Sequence, residues 1–96
     1  MEYLNKLIMG IFKDVKIKKV IEEIAGEIEM SPYYKRVDMP KPIFIRVDSI
    51  DRENKKVTWT NQYTSSSLDI MKFREVHEHL ENEDDILEAM ELLEGK

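Results

Sequence analysis

The sequence has no cysteine, only three glycines, and no apolar run of the roughly 18 residues that a membrane span needs. Without cysteine, disulfides, thiolate zinc sites and a cysteine nucleophile are excluded. Three isolated glycines cannot form a glycine-rich phosphate loop. The first residues also lack the basic, apolar and small-residue order of a secretory leader. We therefore expect a cytoplasmic protein that does not enter a membrane.

Charged residues are abundant instead. Asp, Glu, Lys and Arg make up 36% of the 96 residues, against the usual quarter or so. The excess is lysine and glutamate, a composition typical of thermostable proteins. The length predicts one domain, residues 1–96, and a hydrophobic content of 42% is enough for a small core.

The charges are unevenly distributed along the chain. Residues 1–74 contain 14 basic and 11 acidic residues, a net +3, whereas residues 75–96 contain one basic and nine acidic residues, a net −8. Clustered lysine and arginine are needed to bind phosphates, so a chain of net −5 predicts no nucleic-acid partner. The acidic segment is where a cation or a basic partner would bind.

Two apolar stripes indicate helices in the first 30 residues. One comprises Leu4, Leu7, Ile8, Ile11, Phe12 and Val15, and the other comprises Ile17, Val20, Ile21, Ile24 and Ile28. The step from Val15 to Ile17 turns a helix by about 200°, so one straight helix cannot bury both stripes on one side. We predict two helices with a break near residues 13–16, or one bent helix, with Asp14 available as a cap.

The middle of the chain predicts a β-hairpin. All three prolines fall in residues 31–42, which we interpret as an extended connector. Alternating apolar residues then follow in residues 43–50 and 57–63, separated by turn residues that include Asn54, which can adopt a left-handed conformation. We expect Trp59 to be buried, on the same strand face as Val57 and Tyr63. Phe44 lies on the opposite face, which indicates either helices on both sides of the sheet or one exposed recognition face.

The last third of the chain predicts one or two helices. Ser66 and Asp69 resemble a capping box before an apolar face that runs from Ile70 to Leu80, although a short third strand over residues 68–73 is an alternative. Asn82 can cap a final helix that ends at Gly95. The predicted buried stripe of that helix comprises Ile86, Leu87, Met90 and Leu93.

These elements predict an α+β fold. A small antiparallel sheet is built around the central hairpin, at about residues 43–63. It packs against N-terminal helices and an acidic C-terminal helix.

The acidic segment is also a candidate metal site. Its carboxylates are those of Glu81, Glu83, Asp84, Asp85 and Glu88. Carboxylates three or four residues apart on a helix can converge, and Ca²⁺ takes six to eight oxygen ligands. The EF-hand pattern is absent, so a solvated, helix-capping acidic face is the alternative interpretation.

Two histidines form a second, weaker candidate. His77 and His79 would share a face on a strand, where with Glu75 or Glu81 they could hold a transition metal, but would lie apart on a helix. Because we predict a helix here, we expect no such site. The basic residues Lys13, Lys16, Lys18 and Lys19 are interpreted as a solvated face that complements the acidic segment, within one molecule or between copies.

Catalysis has little support in the sequence. The serines near residue 66 lack the context of a nucleophile elbow, and no carboxylate sits in an apolar run that would raise its pKa. We therefore expect a small non-enzymatic binding or interaction module with a protein partner. The alternative is a divalent-cation protein, most plausibly for Ca²⁺, with no other cofactor.

Overall fold

The structure is a computed structural model that describes residues 2–94, with side chains from Asp14 to Glu94. Its helices are α1 (Glu2–Met30), α2 (Ile70–Val76) and α3 (Glu83–Leu93). Its strands are β1 (Tyr33–Arg36), β2 (Ile43–Asp51), β3 (Lys56–Thr60), β4 (Ser65–Asp69) and β5 (His77–His79). The predicted α+β class is confirmed.

The five strands form one antiparallel sheet in the order β4-β3-β2-β1-β5. The predicted hairpin is its centre, with Val47 opposite Trp59 and Ile50 opposite Val57. A register shift between Val47 and Ser49 marks a β-bulge. The bulge increases the local twist of β2 beyond that of a regular strand.

Helices cover both faces of this sheet. α1 and α2 lie on one face, where they bury the larger core around Tyr34, Ile45 and Trp59. From the helices this core takes Ile17, Val20, Ile21, Ile24, Ile70 and Phe73. Trp59 is only 6% exposed, so its predicted burial is confirmed. α3 lies on the opposite face, and the choice between a covered and a bare second face is therefore settled in favour of a helix.

A partly buried polar contact joins α1, α2 and the sheet. The Tyr34 hydroxyl donates to Glu27 Oε1 at 2.7 Å, and Arg74 Nη1 donates to both carboxylate oxygens of Glu27 at 3.2 and 3.1 Å. Burial raises the pKa of Tyr34 above its usual range, and the Glu27 carboxylate adds to the effect. Tyr34 is therefore a neutral donor that fixes the orientation of Glu27 between the two helices.

The N-terminal prediction is wrong in one respect. Residues 2–30 form one continuous helix, without a break near residues 13–16, and Asp14 lies inside the helix instead of capping one. A break would be needed only if both apolar stripes packed against the sheet. The second stripe packs on the sheet from Ile17 onward, whereas Val15 is 58% exposed. The other side chains of the first stripe, Leu4 to Phe12, lie outside those that the structure describes.

Two details of the connector and hairpin are also corrected. The extended connector contains a real strand, β1, whose four residues are too few to give a clear alternation. The turn places Lys55, and not Asn54, at positive φ (57°). Asn54 is held instead by Asp51, which accepts from its backbone N at 2.9 Å and from its Nδ2 at 2.7 Å.

Strand β3 ends earlier than the alternation predicts. Asn61 Oδ1 accepts from the backbone N of Tyr63 and Thr64, at 2.7 and 2.8 Å, and so forms a turn. Tyr63 is consequently 78% exposed and does not share the buried face of Trp59. Side-chain competition for backbone groups explains why the strand stops here.

The region after β3 combines the two alternatives. Residues 65–69 are a strand and residues 70–76 a helix, and Asp69, not Ser66, caps that helix by accepting from Met71 N at 3.0 Å. The helix stops at Val76 because residues 77–79 pair with β1. Among residues 2–94, no helix has the length and apolar character that crossing a bilayer would require.

Candidate functional site

Helix α3 carries four of the five candidate metal ligands, Glu83, Asp84, Asp85 and Glu88. It begins as predicted at Asn82, whose Oδ1 accepts from Asp84 N at 2.8 Å and from Asp85 N at 3.4 Å. Three acidic residues, Glu83, Asp84 and Asp85, occupy its first turn. Negative charge there is stabilised by the positive end of the helix dipole.

The inner side of α3 is narrow. Ala89 is fully buried, and Ile86 and Leu93 pack beside it against Tyr33 and Leu80 of the second core. The C-terminal end is held by Glu94, which accepts from the Tyr33 hydroxyl and from Arg46 Nη1, the latter at 2.8 Å. A few apolar contacts and one carboxylate therefore attach α3 to the sheet.

One flank of α3 is apolar and exposed. Leu87 is 55% exposed and Met90 is also exposed, so the predicted buried stripe is wrong at these two positions. Ile86, Ala89 and Leu93 fill the inner side because they lie three or four residues apart. Leu87 and Met90 share a shallow depression with Glu91 and Glu94. We call this surface the acidic flank: Leu87, Met90, Glu83, Glu91 and Glu94.

The other flank of α3 borders an open groove. Leu92 and Glu88 form one wall, and the loop after β1 and the turn after β3 form the others. The groove has a volume of about 670 Å³, and its apolar lining includes Met39, Pro40, Pro42, Phe44 and Tyr63. Leu92, Met39 and Tyr63 are exposed hydrophobic residues. Exposed apolar side chains therefore lie on both flanks of α3.

Sequence reasoning missed this groove. The prolines of residues 31–42 indicate only a connector, and the alternation of residues 57–63 places Tyr63 on the core face of the hairpin. The signal available was the excess of apolar residues in the last helix: Ile86, Leu87, Met90, Leu92 and Leu93 are more than one 11-residue helix can bury on a single side.

The five predicted metal ligands do not form one cluster. Glu81 lies before α3, and all except Asp85 are exposed. At about 100° per residue, Asp84 and Glu88 lie about 40° apart on one side of the helix, while Glu83 lies about 100° from Asp84 and about 140° from Glu88. In residues 2–94, no group of three or more His, Asp or Glu side chains is placed to hold a metal ion.

The histidines lie on strand β5, so the prediction of a helix over them is wrong. His77 and His79 do share a strand face, and both are buried. His77 Nδ1 lies 3.1 Å from Phe73 O, and His79 Nε2 lies 2.8 Å from Ser31 O. The His77 ring also stacks on Phe73 at 4.2 Å between centroids. These contacts make the pair part of the core.

Burial lowers the pKa of His77 to about 4. The Phe73 carbonyl opposes this shift, as does Asp38, while the Arg36 cation reinforces it. His77 is therefore neutral at pH 7. The His77 and His79 rings each keep one further nitrogen, Nε2 and Nδ1, without a hydrogen-bond partner among the described residues, and the nearest carboxylate to His79 Nδ1 is that of Glu81, at 3.8 Å.

Comparison of the chain with protein-family models, with curated proteins and with solved structures gives no match.

Calcium binding by the acidic segment stays a prediction, and the spread of its carboxylates predicts weak affinity. We expect a Kd of about 10⁻⁴–10⁻³ M and a rise in Tm only at millimolar Ca²⁺. The triple variant Asp84→Asn, Asp85→Asn, Glu88→Gln should lose that rise. A matched variant, Glu29→Gln, Glu53→Gln, Glu78→Gln, should keep it. An unchanged Tm and unchanged NMR spectra of residues 75–94 in millimolar Ca²⁺ would exclude the site.

We also predict that His77 makes the fold sensitive to acid. Its pKa is lower in the folded chain than the usual value of about 6.5, so the unfolded chain takes up the proton first as pH falls. Stability should fall by about 2–3 kcal/mol between pH 7 and pH 4 from this group. His77→Phe keeps the stacked ring without the proton. Urea unfolding across this pH range should show a smaller loss of unfolding free energy for the variant. If both proteins lose the same free energy between pH 7 and pH 4, His77 is not the group responsible.

Proposed function

We propose that this protein is a small non-enzymatic interaction module, and that it binds an amphipathic basic helix of a protein partner along α3. One observation carries the proposal: Leu87, Met90 and Leu92 are exposed on a helix whose charged residues are all acidic. Exposed apolar side chains bordered by charge of one sign are typical of a protein-binding surface.

The dimensions of the surface favour a helix as the ligand. α3 has 11 residues, so it is about 16 Å long, close to three helical turns. Leu87 and Met90 are spaced to meet the apolar stripe of a helix lying alongside. Glu83 and Glu91 border them and would attract lysine or arginine at the edges of such a stripe, whereas Glu94 is already paired with Arg46.

The positions of the perturbed groups agree with a binding role. Among the described side chains, the large pKa shifts are those of Tyr34, which is buried beneath α1 and α2, and of His77, which is buried against Phe73. Neither residue lines the acidic flank or the groove. Binding by Ca²⁺ and a cytoplasmic location remain predictions from the sequence alone.

A synthetic peptide of leucine and lysine in helical order tests this function. We expect its addition to shift the amide resonances of residues 83–94 more than those of β4, with saturation at micromolar to millimolar peptide. The double variant Leu87→Ser, Met90→Ser should bind at least ten-fold more weakly. Val37→Ser alters an exposed apolar residue outside α3 and should bind normally.

A peptide of leucine and glutamate serves as the matched control, because the acidic flank should repel it. Equal binding of both peptides would show that the acidic flank is a non-specific apolar patch. Shifts confined to other parts of the chain would overturn the proposal.

A further inference from the structure

The N-terminal half of α1 (residues 2–16) extends beyond the body that the rest of the chain forms. Ile17 is the first described residue of α1 in the core, and the three preceding residues, Asp14, Val15 and Lys16, are all exposed. Three successive exposed residues sample more than half of the helix circumference. The longest dimension of the molecule, 59 Å against 27 and 22 Å for the others, agrees with a projecting helix.

The sequence of this half predicts an apolar stripe, from Leu4 to Val15. Val15, the last member of the stripe, is 58% exposed. An apolar stripe along a helix favours contact with another apolar surface. Residues 2–19 also contain five lysines and two acids, a net +3.

The acidic flank has the complementary properties. α3 contains five acids and no basic residue, a net −5, with Leu87 and Met90 exposed among them. Apolar side chains and opposite charges therefore occur together on both surfaces. This is the pairing expected of a specific interface, since charge complementarity selects the partner and apolar contact stabilises it.

One molecule cannot make this contact with itself. α1 packs on one face of the sheet and α3 on the other, so the sheet separates them. The helix is continuous through residues 13–16 and cannot fold back around the edge. The two complementary surfaces of a single chain are thus held apart.

We propose that the N-terminal half of α1 of one copy docks on the acidic flank of α3 of a second copy. This inference rests on the proposed function, because it names the basic helix that α3 binds. Two copies related by a two-fold axis would exchange helices and satisfy both surfaces, which closes the assembly as a dimer.

Sedimentation of the full chain from about 10 to 500 µM tests the proposal. We expect a reversible monomer–dimer equilibrium whose Kd lies within this concentration range. Val15→Asp, on the helix, and Leu87→Asp, on the flank, should each weaken dimerisation at least ten-fold. Met30→Asp places the same charge on an exposed apolar residue of α1 outside the stripe and should not weaken it. Circular dichroism and Trp59 fluorescence should show that all three variants remain folded.

Mixing the two weakened variants is the decisive arm. The Val15→Asp chain keeps an intact flank, and the Leu87→Asp chain keeps an intact helix. An equimolar mixture therefore has one of the two contacts intact and should form a heterodimer that is tighter than either variant's homodimer and weaker than the original dimer. Charge reversal provides a second readout: Lys13→Glu with Lys16→Glu should weaken the dimer, and adding Glu83→Lys with Glu91→Lys should restore it.

Other outcomes would overturn the inference. If Leu87→Asp dimerises normally while Val15→Asp does not, the helices pair with each other. If the chain is monomeric at 500 µM but binds vesicles of phosphatidylglycerol and phosphatidylcholine, the N-terminal half of α1 lies on an anionic lipid surface instead. Binding of the leucine–lysine peptide by a chain that stays monomeric would leave the proposed function standing and reject the second copy as the partner.

Discussion

Adjacent apolar residues on strands β1 and β2 impose the main constraint on this fold. Tyr33 and Tyr34 point to opposite faces of the sheet, as do Phe44 and Ile45, because side chains alternate along a strand. Both faces therefore need helices packed on them. α1 and α2 together cover the first face, and the single short helix α3 covers the second.

The small size of α3 explains the candidate site. Since α3 has 11 residues and presents a narrow inner side, Ile86, Ala89 and Leu93 are enough to fill the space above Tyr33 and Phe44. Leu87, Met90 and Leu92 are left outside, next to carboxylates. Exposed side chains of this kind contribute little to the stability of their own helix. The same division occurs in α1, whose second half packs on the sheet while its first half extends past Ile17.

The sequence predicted what depends on strong local signals. The hairpin, the burial of Trp59, the Asn82 cap and the α+β class follow from alternation, turn chemistry and capping. What it could not predict depends on contacts distant in sequence. β5 is a strand because His77–His79 pair with β1, some 40 residues earlier, and α1 is continuous because nothing requires its two stripes to pack together. The groove was hidden for the same reason, since Met39, Tyr63 and Leu92 come from three separate segments.

The inner residues of α3 stabilise the fold, and the flank residues do not. Urea unfolding at low micromolar concentration, where association is negligible, measures this directly. Ile86→Ala and Leu93→Ala should each lose about 1–2 kcal/mol of unfolding free energy, because partly buried side chains are truncated. Leu87→Ala and Met90→Ala should change it by less than about 0.5 kcal/mol, as exposed positions do. Equal losses at all four positions would show that the flank is structural and would contradict the account.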